Sequence, residues 1–194
     1  MKKYSNPIDQ ITFEKLYPLL GKTTKDKEVA ELISQCREMT DIFEYLEYSE
    51  ENIMRPNDNS VCIDGYPIAG IVLEISSGIL ACISFQLVDG RIDGWRKCSS
   101  YKGVIRDGVR EGFKKKNIHD FYGKPLKSRD KIEQYHLPDE IIMGIIYGSL
   151  KDGITPDTPI VISYGSKKVF SDPKYFPNRF SLIFNSLYDL PVDN

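Results

Sequence analysis

Two similar helix-ending signatures, Leu19–Lys22 and Phe121–Lys124, lie about one hundred residues apart in this 194-residue chain. In each signature, two apolar residues precede a glycine and a lysine. Glycine is typical of this place, because the residue after the last helical turn commonly adopts a left-handed conformation. Upstream, apolar residues recur at helical spacing, with Phe13, Leu16 and Leu19 in the first half and Phe113, Ile118, Phe121 and Tyr122 in the second. The signatures therefore predict a short helix in each half of the chain.

The strongest helical pattern follows the first signature and begins at Lys25. Its apolar residues recur every three or four positions and form one stripe, made of Val29, Leu32, Cys36, Met39, Phe43 and Leu46. The pattern fits either one long helix over residues 25–53 or two helices, the second of which uses Thr40 as its N-cap. The stripe faces the same way in both cases.

Runs of β-favouring residues follow this helical region, with turn residues between them. The predicted strands are Val61–Ile63, Gly70–Ile75, Ile79–Leu87 and Arg91–Cys98. The sequences Ser76-Ser77-Gly78 and Asp89-Gly90 have the composition of hairpin turns, which join antiparallel neighbours. The last three of these strands therefore form a predicted meander.

The second half also places strand patterns after its helix. Beyond Pro125 the chain is polar as far as Tyr135, which fits a short connection or an edge strand. Residues 140–150 fit a helix by the spacing of their isoleucines, whereas Gly144 and Gly148 alternate as in a strand, and we favour the helix. Further strands are predicted at Pro159–Tyr164, Lys167–Phe170 and Arg179–Phe184.

Helices that are separated from strand meanders predict an α+β fold, in which an antiparallel β-meander sheet, or two adjoining sheets, carries the helices on one face. We expect one domain over residues 1–194. If the two signatures mark a duplication, pseudo-repeats of a helix followed by strands span residues 8–98 and 101–190. C-cap glycines are common, so the alternative is that the signature recurs by chance.

Acidic and basic residues are unevenly distributed, although the formal net charge of the chain is only -2. Between Lys25 and Glu51 there are nine acidic and three basic residues, a net charge of -6. On a helix, the later acids of this segment lie opposite the apolar stripe, with tyrosines beside them. We name this group the acidic face, which consists of Asp41, Glu44, Tyr45, Glu47, Tyr48 and Glu51.

The acidic face has the residue types of a protein-docking surface. Tyrosine is enriched among the residues that dominate interface energies, and carboxylates attract a basic partner and repel an acidic one. The simpler interpretation is a solvated helix surface. In the functional interpretation, all six residues are candidate contacts with a partner protein.

Residues 91–131, here the basic stretch, carry thirteen basic and five acidic residues, a net charge of +8. Aromatic residues such as Trp95 and Tyr101 are interleaved with the bases, which is the pattern of a surface that binds phosphates and stacks bases. The whole-chain pI near 5.8 is low for such a protein. A nucleic-acid-binding or regulatory module is therefore the alternative function, and a solvated lysine surface is the simplest interpretation of the stretch.

Cysteine and histidine, which supply most metal ligands and nucleophile–base pairs, are few and scattered. The four cysteines form no C-x-x-C pair and have no histidine at zinc-ligand spacing. Neither His119 nor His136 lies in a recognisable catalytic setting, and a hydrolase that uses one of them is the enzymatic alternative. No glycine pattern matches a phosphate-binding loop. We therefore expect a protein that is not an enzyme and that needs neither a metal nor a cofactor.

The beginning of the sequence combines no basic segment with an apolar run of secretory length. No window approaches the roughly 18 apolar residues that a membrane helix needs. These features predict a cytoplasmic protein without a membrane partner.

Several phrases of the sequence resemble those of small bacterial immunity proteins of contact-dependent inhibition and polymorphic toxin systems. In many of these proteins, Gly-Lys followed by valine and leucines leads into a strand meander. A later Tyr-x-Gly, a helix and Leu-Gly-Lys-Pro mark a repeat. The counterparts here are Gly21–Ile33, Gly70–Leu73, Tyr101–Gly103 and Phe121–Pro125.

The resemblance implies a cytoplasmic immunity protein, or antitoxin, that binds a cognate toxin domain and occludes its active site. Nuclease toxins are generally basic around their substrate groove. The implied partner is therefore a basic toxin domain, for example a nuclease, and the acidic face is the implied binding surface. An inhibitor of this kind needs no catalytic residues.

Overall fold

The computed structural model describes residues 12–39, 61–66, 70–76, 78–89 and 100–171. Within these residues, seven strands form one antiparallel sheet, and they are β1 (Val61–Tyr66), β2 (Ile71–Ser76), β3 (Ile79–Gln86), β4 (Lys127–Arg129), β5 (Ile132–Leu137), β6 (Ile141–Tyr147) and β7 (Pro159–Ser166). The helices are α1 (Phe13–Leu16), α2 (Lys27–Met39), α3 (Lys115–Tyr122) and α4 (Lys167–Ser171). Short 3-10 turns occupy Tyr17–Leu19, Arg106–Gly108 and Leu150–Asp152. This architecture confirms the predicted α+β class.

The strands lie in the order β1-β2-β3-β7-β6-β5-β4. Each half of the chain thus contributes a meander, β1 to β3 and β4 to β7. The two meanders join where β3 pairs with β7, for example at Ile83 and Tyr164. In both halves a helix precedes the strands, and in the second half α4 also follows them. The pseudo-repeats at 8–98 and 101–190, and the single domain over 1–194, stay predictions.

Apolar side chains form rows across the face of the sheet that α1, α2 and α3 cover. One row contains a residue from each of five neighbouring strands, namely Leu73, Ile83, Tyr164, Met143 and Tyr135. None of the five is more than 3% exposed. The helices contribute Phe13, Leu16, Val29, Leu32 and Ile118 to the same core. Complete burial of one such side chain contributes roughly 1.5–3 kcal/mol, so this layer is the main source of stability.

Helix α4 lies on the other face of the sheet, where Val169 packs in a second apolar cluster with Ile142 and Val161. The expected position of the helices on one face therefore holds for α1, α2 and α3 but not for α4. The predicted strand at Lys167–Phe170 is wrong. Strand β7 ends at Ser166, which pairs with Ile141, the first residue of β6, so the chain beyond it has lost its partner strand.

Residues 141–147 form strand β6, so the predicted helix over residues 140–150 is wrong. Strand β6 is hydrogen-bonded to β5 on one side and to β7 on the other, and all seven of its residues are buried. A strand that is covered on both faces carries apolar residues at every position, and such a run lacks the alternation that distinguishes a strand from a helix. The β-branched isoleucines favour the strand.

Both helix-ending signatures are confirmed. Gly21 follows the first 3-10 turn with a φ of 81°, and Gly123 follows α3 with a φ of 74°. These are left-handed conformations, which glycine adopts at little steric cost. Of the two alternatives left open after Pro125, a short connection or an edge strand, the edge strand is observed, because β4 is the last strand of the sheet on that side.

Strands β1, β2, β3 and β7 confirm four further predicted strands. The predicted strands at Arg91–Cys98 and Arg179–Phe184 lie outside the described residues, as does the end of the region 25–53 that decides between one helix and two. In the part of the chain that is described, no helix has both the length and the apolar character needed to cross a membrane.

Candidate functional site

All six residues of the acidic face lie outside the described residues: Asp41, Glu44, Tyr45, Glu47, Tyr48 and Glu51. Two glutamates near the start of α2 are described, and both form ion pairs. Glu28 pairs with Lys22, and the Glu31 carboxylate lies 3.6 Å from the Lys27 amine. The side chains of the two glutamates are 64% and 58% exposed, so this part of α2 presents neutralised pairs to solvent.

A compact group of polar side chains surrounds Glu133, the second residue of β5. Pairing of the strands places Glu133 at the end of an apolar row, next to Ile145 and then Ile162. Its side chain is only 2% exposed. A carboxylate in such a place is strongly unfavourable unless other polar groups replace its water.

Four side chains contact the Glu133 carboxylate, and together these five residues are the Glu133 cluster. The amine of Lys115 lies 2.7 Å from Oε1, and Nε2 of His119 lies 3.0 Å from Oε2. The hydroxyls of Tyr135 and Tyr147 donate to Oε2 at 2.9 and 2.7 Å. The Lys115 amine also lies 4.8 Å from the centre of the Tyr147 ring, in a cation–π contact.

The protonation states follow from these contacts. Burial alone raises the pKa of Glu133, but the hydrogen bonds from Lys115, Tyr147, His119 and Tyr135 outweigh it and hold the pKa below the ordinary value of 4.5. Burial and the neighbouring carboxylate raise the pKa of both tyrosines well above 10.0. At neutral pH, Glu133 is therefore ionised and its tyrosine partners are neutral donors.

The geometry of the Glu133 cluster suits a structural role. A general base needs an accessible oxygen and a pKa near the working pH. Both oxygens of Glu133 already accept hydrogen bonds, and its pKa is lowered. Since Lys115 and His119 lie one turn apart on α3, the carboxylate fastens that helix to β5 and β6.

The two histidines do not come together. His119 belongs to the Glu133 cluster on the helix-covered face of the sheet. His136 is exposed on β5, and because side chains alternate along a strand it lies on the face opposite to Glu133 and Tyr135. Paired acid–base catalysis by His119 and His136 at one substrate is therefore not possible in this arrangement.

Reasoning from the sequence missed Glu133. The residue stands in a mixed run, Ile132-Glu133-Gln134-Tyr135, where its burial depends on which strand face meets the helices. One signal was available: Lys115 and His119, four positions apart on one side of the predicted second helix, flank the apolar Ile118. Polar donors on the buried side of a helix require an acceptor on the surface beneath it.

Many charges of the basic stretch are engaged in ion pairs. Among its described residues, those that contact carboxylates include Lys102, Arg106, Lys114, Lys115 and Arg129. The Lys102 amine lies 2.8 Å from the Glu111 carboxylate. Of the aromatic residues in the stretch, Tyr101 is buried. Phe121 is 54% exposed, although the sequence pattern assigned it to an apolar stripe.

Two buried polar atoms among the described residues have no hydrogen bond of good geometry, Oε1 of Gln134 and the hydroxyl of Tyr164. Burial and, after it, the nearby Tyr122 hydroxyl raise the pKa of Tyr164. The Tyr164 ring lies in the core, 5.0 Å from the centre of the Phe13 ring and 6.2 Å from that of Phe85. A buried hydroxyl without a partner costs free energy, because the water it loses on folding is not replaced.

Replacement of Tyr164 by phenylalanine is expected to raise the free energy of unfolding by up to about 1 kcal/mol, since it removes a buried hydroxyl that has no hydrogen bond of good geometry. The matched control is Tyr147→Phe, which removes a hydroxyl that donates to Glu133 at 2.7 Å and is expected to lower the free energy of unfolding by about 2 kcal/mol. Urea titration measures both effects. Equal losses in the two variants would contradict the assignment of the Tyr164 hydroxyl as unsatisfied.

Among the residues that the structure describes, no three side chains of His, Cys, Asp or Glu meet in an arrangement that would hold a metal ion. Comparison of the chain with protein-family profiles, with curated proteins and with solved structures gives no significant match.

Proposed function

We propose that this chain is a cytoplasmic immunity protein that binds a cognate toxin domain and occludes its active site through the acidic face. The observation that carries the proposal is the charge pattern of the segment. From Glu38 to Glu51 the sequence contains six carboxylates and no basic residue. Such a segment accelerates encounter with a basic surface and disfavours acidic partners.

The ion pairs of the basic stretch favour this function over nucleic-acid binding. Two of the three consecutive lysines, Lys114 and Lys115, contact Asp157 and Glu133 at 3.2 and 2.7 Å. Lysines that are already paired release fewer counterions when they approach phosphate, which weakens the electrostatic term of nucleic-acid binding.

The partner can be obtained by affinity purification of the tagged chain from its native cell. A toxin domain encoded in the neighbouring reading frame is the expected co-purifying protein. Calorimetric titration of that domain then measures the affinity. Retention on a nucleic-acid column, with no basic protein captured, would instead support the alternative function.

Charge reversal of the acidic face by the double variant Glu44→Lys, Glu47→Lys is expected to weaken toxin binding by about 10- to 100-fold, because each carboxylate that faced a base becomes a repulsive charge. The affinity of the variant is also expected to depend less on salt.

The double variant Glu28→Lys, Glu31→Lys is the matched control, since it changes the net charge equally at exposed positions of α2. It is expected to weaken binding much less than the first variant. If both variants weaken binding equally, net charge alone drives the association, and if neither does, the acidic face is not at the interface.

A further inference from the structure

The loop between β6 and β7 holds a fixed conformation. The amide of Gly148 donates to the carbonyl of Thr158 at 2.8 Å, and the amide of Ile154 donates to that of Ser149 at 3.1 Å. Gly148 itself is tightly enclosed, because a Cβ at this position would meet the Ile154 side chain and would lie 2.7 Å from the Thr155 carbonyl oxygen. The loop is therefore ordered by its own backbone before any partner arrives.

This ordered loop presents a leucine to solvent. Leu150 is 75% exposed and is the first residue of a 3-10 turn. Ser149 caps the start of this turn, because its hydroxyl accepts a hydrogen bond from the Lys151 amide at 3.2 Å. An apolar side chain on a preorganised loop gains free energy when a partner covers it and loses little conformational entropy. These are the properties of an interface anchor.

Leu150 borders an open pocket of about 780 Å³ between this loop and the turn that joins β4 to β5. Ile132 and Pro156 supply apolar walls, and Arg129, Lys131 and Lys151 surround them with positive charge. One carboxylate, Asp130, also lines the pocket; it lies 3.9 Å from Arg129, and both side chains are largely exposed at 87% and 65%. The lining is thus apolar at its walls and carries a positive net charge.

We propose that this pocket, the β6–β7 pocket, docks an acidic protein segment that carries an apolar side chain beside its carboxylates. The segment's carboxylates meet Arg129 and Lys151, and its apolar side chain covers Leu150 and Pro156. An acidic occupant differs in charge from a basic toxin groove, and the pocket shares no residue with the acidic face. This proposal therefore does not depend on the proposed function.

The test uses the full chain, isotope-labelled for NMR, and a short peptide of alternating glutamate and leucine as the probe. We expect shifts of the amides of Gly148–Lys151 and Arg129–Ile132, and an affinity that falls as salt rises. The variant Leu150→Ala is expected to weaken binding about tenfold. The double variant Arg129→Glu, Lys151→Glu is expected to abolish it.

Leu126→Ala is the matched control, because Leu126 is exposed but does not line the pocket. It is expected to leave the affinity unchanged. Equal binding of a lysine–leucine peptide or of a glutamate–serine peptide would overturn the proposal, as would shifts of the same amides by inorganic phosphate alone, which would indicate a site for small anions. Absence of shifts at the pocket would overturn it as well.

Discussion

Replacement of Glu133 by glutamine is expected to lower the free energy of unfolding by about 3 kcal/mol, because it removes the charge from a buried ion pair. The amide keeps one acceptor but adds a donor that faces the Lys115 amine and the tyrosine hydroxyls at 2.7–2.9 Å. Lys115 is 34% exposed and can turn toward water, which keeps the loss near the lower end of the usual range. Urea titration followed by circular dichroism measures the loss.

The control is Glu111→Gln, which removes the carboxylate of a solvent-exposed ion pair. The Glu111 carboxylate lies 2.8 Å from the Lys102 amine, and the side chains of Glu111 and Lys102 are 49% and 54% exposed. An exposed pair of this kind contributes about 0–1 kcal/mol. The two variants thus separate burial from charge pairing. Comparable losses in both would mean that Glu133 does not fasten α3 to the sheet.

The difference in the free energy of unfolding between the wild type and Glu133→Gln is expected to depend on pH. The pKa of Glu133 is lowered on folding from 4.5, so the unfolded chain takes up its proton at a higher pH than the folded chain. The stabilisation by Glu133 is complete above pH 4.5 and is lost as the pH falls through the folded-state pKa. The difference in stability between the two proteins is therefore expected to shrink below that pH, and a difference that grows there would contradict the ionised state.

The sequence correctly predicted the elements whose conformation is specified by residues close together in the chain. The glycines that end the first 3-10 turn and α3 appear in the sequence as C-cap glycines, and both adopt positive φ angles, 81° and 74°. Strands β2 and β3 follow from β-favouring runs on either side of a turn at Gly78. In such elements, the residues that specify the conformation lie next to one another in the chain.

The wrong predictions concern elements whose conformation depends on tertiary contacts. The residues of β6 are apolar at all seven positions, and only the presence of β5 and β7 on its two sides makes the run a strand. Residues 167–170 carry strand-forming Val169 and Phe170, but the sheet ends before them and the chain turns into α4. Neither the strand order nor the ends of partner strands can be derived from a single local pattern.

The Glu133 cluster was missed for a related reason. Its members come from α3, β5 and β6, and the register of β5 against β6 determines that Glu133 rather than Gln134 faces the helix. A shift of one residue would move the carboxylate to the other face of the sheet. The spacing of Lys115 and His119 indicates two donors on one side of a helix, but it does not identify their acceptor.

The exposure of Phe121 is another feature that the helical pattern did not predict, and it provides a control for a buried phenylalanine. The helical pattern assigned Phe121 to a core stripe, but it is 54% exposed and stacks on Phe113 at a ring-centre distance of 6.1 Å. Phe85 on β3 is fully buried, and its ring centre lies 4.9 Å from that of Tyr101 and 6.0 Å from that of Phe13. Phe85 and Phe121 therefore differ in the amount of apolar surface that each removes from water on folding.

Replacement of Phe85 by alanine is expected to lower the free energy of unfolding by about 4 kcal/mol, since it leaves a cavity where α1 and the sheet meet. Phe121→Ala removes the same atoms from the surface of α3 and is expected to cost about 1 kcal/mol or less. Urea titration of both variants measures the contrast. Similar losses would place Phe121 in the core and would contradict the packing of α3. A small loss for Phe85→Ala would contradict its burial where β3 pairs with β7.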